Sequence, residues 1–242
     1  MDFNLLVSAL TPEVWDHIAE GIELSFWTFV VTLILEIWSF DTVKKVLNQK
    51  GAGPKLYAAA VFANLRNHFI FGWPIYVFAV EKFCRPNESL GIGDQIACVA
   101  TILFVHSIGF YAAHRLFHTY PKLYRHHRFH HRFNVNVPPM AANAVSPVEY
   151  IFAYIVPFVV AMPFVQPDTM SIRLCVAIVS LTNILIHTPK LADLSEKFVP
   201  EWLVTTEDHL EHHRKLNTKY AAPTFNIDYF VSFIERKVEK KE

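Results

Sequence analysis

The chain has 242 residues, 52% of them hydrophobic and only 18% charged, with a mean hydropathy of +0.25; soluble domains carry about 25% charged residues, so the composition excludes a disordered chain and exceeds what a small soluble core needs. Lys plus Arg and Asp plus Glu both number 22, which leaves no global basic field to favour nucleic acid. The class implied is an integral membrane protein, and its 13 histidines are a second anomaly.

A bilayer-spanning helix needs about 20 mainly apolar residues. Residues 22–40 approach this, with Glu23 and Glu36 near their ends. No basic n-region or small-residue cleavage site precedes them, so the stretch reads as an uncleaved anchor. Residues 56–80 are interrupted by Arg66, Asn67 and His68, and are expected to start as an interfacial helix and to cross only from about Phe69. Those three side chains, if inside the bilayer, have to face the bundle or a cavity. Residues 95–113 hold no Asp, Glu, Lys or Arg. Residues 150–167, with Pro157 and Pro163, and residues 174–189 form a helical hairpin joined at 168–173; prolines are tolerated in such helices.

Charge placement orients these stretches, because cytosolic loops carry excess Lys and Arg. The first 21 residues have neither, residues 41–55 carry Lys44, Lys45, Lys50 and Lys55, and residues 81–94 carry only Lys82 and Arg85. The N-terminus is therefore expected in the lumen, the 41–55 loop in the cytosol and the 81–94 loop in the lumen. The third span then ends in the cytosol at His114, and the chain from Lys190 onwards is cytosolic again. Cys84, Cys98 and Cys175 are odd in number and widely spaced, which suggests neither a disulfide framework nor a thiolate zinc site.

The histidines gather on that cytosolic side. His114 and His118 continue the third span at i, i+4 spacing, which puts both rings on one helix face about 5 to 6 Å apart at Cβ. A His-x-x-His-His box follows at His127, His130 and His131, and recurs at His209, His212 and His213. In a helix, i and i+3 share a face and i+4 flanks it, so each box can turn two or three ring nitrogens towards one point. The hairpin returns the third group to the other two and makes a converging metal cage. Neutral imidazole suits zinc, copper, iron and nickel; eight or more rings exceed the coordination of one ion, so two are indicated. The Glu-x-x-His of soluble di-iron bundles, His-Glu-x-x-His, a Walker loop and Gly-x-Ser-x-Gly are absent, and Gly51-Ala-Gly53 and Gly91-Ile-Gly93 lack the third glycine of a dinucleotide fingerprint.

The order of these groups, with Pro147-Val148-Glu149 leading into the hairpin, resembles the fatty acid hydroxylase and sterol desaturase superfamily of membrane-bound non-haem di-iron enzymes, over roughly residues 67–220. The resemblance implies that His114, His118, His127, His130, His131, His209, His212 and His213 are metal ligands and that His187, at the end of the hairpin, is a further one. Asn183 stands one turn before His187 where some relatives have His, and Ser146 stands where many have His before Pro-x-Glu. The Asn217-Thr-Lys-Tyr220 segment departs from their common Asn-Tyr-Gly. It further implies two iron ions, O2 as cosubstrate, electrons from cytochrome b5 and NADH, a sterol, fatty acyl or sphingolipid substrate taken from the bilayer, and residence in the endoplasmic reticulum membrane. Lys240 and Lys241 only approximate a dilysine retrieval signal.

The expected architecture is an all-α integral membrane protein with four or five transmembrane helices and a cytosolic histidine-rich helical cap holding a di-metal site. Residues 1–66 form an anchor and interfacial segment, and residues 67–242 a catalytic domain. Around the cage, His126 is expected beside the ligands without being one, and Glu149, Asp208 and Glu211 are candidate acceptors for ring N–H groups. His106, two turns before His114, reads equally as a channel lining or as a hydrogen-bonded interior residue, and His17 as a surface residue. Residues 122–133 also read as a lipid-headgroup patch. Two other functions fit the histidines: a His-lined metal transporter, which needs ionisable residues along a mid-membrane path, and a lipid-binding protein with a structural zinc cage.

Overall fold

The structure is a computed structural model and describes residues 11–85 and 89–239. Lys240 and Lys241 lie outside the described residues. The fold is helical; the isolated bridge between Leu203 and Phe225 is the one β pairing among the described residues. Four helices are long and apolar enough to cross a membrane: α1 (Pro12–Trp38), α5 (Ile92–Thr119), α7 (Pro147–Val165) and α8 (Thr169–Ile186). Between α1 and α5 come α2 (Phe40–Leu47), α3 (Gly53–Arg66) and α4 (Trp73–Phe83). Short helices α6 (Pro121–His127), α9 (Ala192–Phe198) and α10 (Thr206–Lys215) build the histidine-bearing end, and α11 (Ile227–Glu239) follows.

Local sequence sets the ends of these helices. Thr11 caps α1 and Pro12 occupies its first turn, where a missing N–H costs nothing. Asp168 ends the hairpin more tightly than the expected 168–173 link: its Oδ1 accepts from Ser171 N at 2.8 Å and starts α8 at once. Its Oδ2 accepts from Leu90 N and from Gln95 Nε2, tying this turn to the start of α5. Along α1, Trp15 at one end and Trp38 at the other are each about half exposed, and Phe26, Trp27, Ile34 and Ile37 between them also face outwards.

Residues 56–80 lie within one continuous helix. There is no break near Phe69; the helix runs from Gly53 to Phe83 through a π turn at Asn67–Gly72, with α4 packed along α1. The polar interruption faces inwards. Arg66 Nη2 donates to the Val145 carbonyl at 2.7 Å, Asn67 Nδ2 to the carbonyls of Asn143 and Val145, and Asn64 Nδ2 to that of Met140. Glu36 on α1 accepts from Met140 N at 2.5 Å and from the Tyr57 hydroxyl at 2.6 Å. Side chains that would be costly against lipid thus bind the backbone of residues 139–145, a 3-10 turn at Pro139–Asn143 and the two residues after it, which the bundle buries. This segment in turn reaches the histidines.

The helices approach closely where α5 meets α7. A Cβ at Gly109 would stand 2.5 Å from the Pro157 Cβ, too close for any side chain. Gly109→Ala is expected to cost about 1–3 kcal/mol through overpacking, read as a lowered midpoint in thermal unfolding of the detergent-solubilised protein. An unchanged midpoint would show that the two helices are not held at this spacing. The three cysteines are free, Cys98 and Cys175 buried and Cys84 partly so, in keeping with the absence of a disulfide framework.

Candidate metal centre

The last turns of α5 carry His114 and His118 out of the apolar bundle. Across from them, α6 ends at His127, and His130 and His131 follow on a 3-10 turn, His130–Phe133. The second box is therefore not the single α-helix that its spacing suggests. The third box does lie on a helix, α10, started by a reciprocal cap: Thr205 Oγ1 accepts from Asp208 N while Asp208 Oδ2 accepts from Thr205 N. His187 closes α8.

All nine histidines named above converge, and they sort into two groups. His114, His118, His127, His131 and His212 place one ring nitrogen each within 4.8 Å of one another, as do His130, His187, His209 and His213. Positions i and i+4 of each box (127 and 131, 209 and 213, and likewise 114 and 118) share a group, whereas the i+3 member crosses to the other. On an α-helix i+3 and i+4 diverge by 100° of rotation, so the box that seemed to aim at one point feeds two. The groups adjoin: the His131 and His213 rings are 4.8 Å apart between centroids.

Hydrogen bonds fix how the rings present themselves. Nδ1 of His114 donates to the Tyr220 carbonyl at 2.8 Å, that of His130 to Ala141, that of His187 to Asn183 and that of His212 to Thr218. Nδ1 of His127 donates to Glu149 Oε1 at 2.6 Å, both side chains being buried. A neutral ring that donates from Nδ1 carries a bare lone pair on Nε2. The Nε2 atoms of His114 and His127 are nevertheless 3.0 Å apart, and those of His187 and His130 3.4 Å. Lone pairs at such distances repel unless a cation is shared between them. Nitrogens bound side by side to one ion at about 2.1 Å would themselves stand about 3 Å apart. The buried Nε2 of His212, which has no hydrogen-bond partner, completes a donor set that fits two transition-metal ions.

Burial, and after it the neighbouring imidazoles, hold His127, His130, His131, His209 and His213 well below the ordinary histidine value, and burial brings His212 down to about 4. These rings are neutral in the folded chain, whereas an unfolded histidine takes up a proton near pH 6.5. The unfolded state thus binds more protons below that pH. Stability is complete above about pH 6.5 and is lost as pH falls. Protons also compete with metal for the same lone pairs. Thermal stability and bound metal are expected to decline together below about pH 6.5; profiles flat down to about pH 5 would contradict this.

Other candidates fall differently. His126 is the acceptor for Arg125 Nε and touches no cage ring, so it does not support a ligand. Asp208 caps α10 and pairs with Lys219, and Glu211 pairs with Lys215 and Lys219; of the three candidate acidic acceptors only Glu149 meets a ring. Asn183 is not in either group and supplies its carbonyl to His187. His17 binds Glu81 at 2.6 Å, away from both groups. His106 is fully buried and lines a cavity. The carbonyls of Ala141, Thr218 and Tyr220 were not foreseen, since any residue type can supply one. The chain's turn at Leu216 and Lys219, both at positive φ, brings two of them under the rings.

The family model for fatty acid hydroxylase matches residues 99–232, more than half of the chain and all nine histidines. No curated protein and no solved structure gives a match.

Proposed function

The chain belongs to the fatty acid hydroxylase family, and on that premise we propose that it is a membrane-bound, O2-dependent di-iron oxidoreductase that hydroxylates, demethylates or desaturates a lipid of the sterol, fatty acyl or sphingolipid type. The observation that carries this reading is the pair of adjoining imidazole clusters at the end of the apolar bundle. We assign His114, His118, His127, His131 and His212 to one ion and His130, His187, His209 and His213 to the other. Two irons bound there supply reduction of O2 and oxidation of an unactivated C–H bond.

The chain's own residues prepare that chemistry. Backbone carbonyls and Glu149 hold each anchored ring in the tautomer that offers Nε2, so little reorganisation accompanies binding. Buried Phe110 and Phe117 in α5 and the 139–145 segment pack about the cage and exclude water. The apolar helices present the lipid, with residues 1–66 as anchor and residues 67–242 as catalytic unit. The site faces the cytosol from the endoplasmic reticulum membrane, where cytochrome b5, reduced from NADH, delivers electrons.

Arg66 and Asn67 give a transporter no support, because their side chains are bound to the 139–145 backbone. Metal analysis tests the main reading. About two irons per purified chain, with lipid oxidation that requires both NADH and O2, is the expected result. Tightly held zinc and no O2 consumption under reductant would establish the structural zinc cage instead.

A further inference from the structure

Beside the cage, further into the bundle, lies a cavity that the histidine clusters do not use, walled by α1, α4, α5, α7 and α8. Much of its lining is apolar, including Leu24, Phe158 and Met162. Four residues bring buried polar atoms without partners: Nε2 of His68, a ring nitrogen of His106, whose other nitrogen faces the Tyr154 backbone, Nδ2 of Asn143 and Oδ1 of Asn183. They are 7%, 0%, 5% and 2% exposed. A polar atom shut away from water without a partner costs free energy, and native structures keep few of them. Four such residues around one cavity point to a ligand that pairs with them. Both π turns, Asn67–Gly72 and Tyr150–Ile155, border the same space, and such turns often mark functional positions.

The chemistry of these atoms restricts the ligand. A neutral imidazole has one donor and one acceptor, an amide Nδ2 donates and an amide Oδ1 accepts. Donors and acceptors together match a hydroxyl, which does both. No Lys or Arg lines the cavity, so nothing there neutralises a phosphate or a carboxylate. His106 lies midway along α5, and its eight-residue separation from His114 is roughly 12 Å of helix. A large polar headgroup would have to be dragged to the middle of the hydrocarbon, at several kcal/mol for each unpaired group. A lone hydroxyl brings one such group, and the cavity pairs it.

We propose that this cavity binds the hydroxyl of a neutral lipid alcohol through His68 and His106. The carbon that is oxidised then lies roughly 12 Å from that oxygen, a consequence that rests on the function proposed above, whereas the binding itself does not. Sterols and long-chain alcohols share this chemistry.

Equilibrium binding of tritiated cholesterol and tritiated octadecan-1-ol to the full-length, detergent-purified protein, without NADH, tests it and separates the two sources. Saturable binding of one alcohol is expected, with its own hydrocarbon, cholestane or octadecane, competing at least about tenfold more weakly. That preference should vanish in the His68→Leu/His106→Leu double variant and partly return with His106→Gln, which restores a donor and an acceptor, while bound iron stays at the wild-type level. Equal competition by alcohol and hydrocarbon, or no saturable binding of either alcohol, overturns the proposal. So does a preference that survives the double variant. Because the wild-type comparison needs no variant to fold, the test stands even if the double variant is lost. An alcohol that binds but is not oxidised when NADH, its reductase, cytochrome b5 and O2 are supplied would sink the oxidoreductase reading and leave the cavity assignment intact.

Discussion

His130→Ala and His212→Ala should each bring lipid turnover below detection and lower bound iron from about two ions per chain towards one. The expectation comes from the crossing of the boxes. His130 is the one member of its box in the four-histidine cluster, and His212 the one member of its box in the five-histidine cluster. Each therefore links a segment to the far ion. Removing it takes both a ligand and a packing partner from one cluster, since the His130 ring lies 4.6 Å from that of His213 and the His212 ring 4.5 Å from that of His114, between centroids. His17→Ala is the control: its partner Glu81 and its position outside both clusters leave turnover and iron unchanged. Inductively coupled plasma analysis beside product formation reads both effects. Retained activity in either cage variant would remove that residue from the ligand set.

Glu149→Gln is expected to lower metal affinity of the five-histidine cluster, or activity, by about 10- to 100-fold, with the fold intact. Glu149 follows Ser146 and Pro147, which start α7 so that its carboxylate sits against His127; its Oε2 has no partner and its Oε1 takes the ring proton. Glutamine keeps an acceptor there but loses the charge that makes the ring a better donor to metal. Glu149→Ala should do more harm, because it also leaves the His127 Nδ1–H buried and unpaired, at about 1–3 kcal/mol. Iron titration of the two variants separates these contributions. Equal iron affinity in wild type and Gln variant would mean that Glu149 only positions the ring.

The site was largely legible in the sequence because its ligands are chemically unusual residues at helical spacings. His114 with His118 and the two boxes needed no tertiary information to be picked out, whereas His187 came from the family resemblance alone. Their division into two clusters was not legible, since it follows from rotation about helix axes and from a second box that leaves the α-helix after His127. Glu149, Asp208 and Glu211 looked equally suitable as acceptors; what sets the last two apart is the reach of Lys219, which pairs with both. Among the spans, uncharged stretches of 18 residues or so marked α5, α7 and α8 well. In the 56–80 segment the inward-facing alternative for Arg66 and Asn67 holds, but their partners, backbone carbonyls some 76 to 79 residues away, were not legible.

Trp15 and Trp38, roughly 35 Å apart along α1, act as a depth gauge. Indole rings settle at the headgroup level, and a hydrocarbon layer is about 30 Å thick, so a modestly tilted α1 places both rings at opposite water boundaries at once. Glu36, one half-turn from Trp38, holds Met140, and the next residue's carbonyl holds His130. With α1 so placed, the cage would hang at a set height, level with one boundary. On the function proposed above, a water-borne reductant would approach it from above, while oxygen and lipid, both concentrated in the hydrocarbon, would arrive from below, and neither stream would have to cross the path of the other.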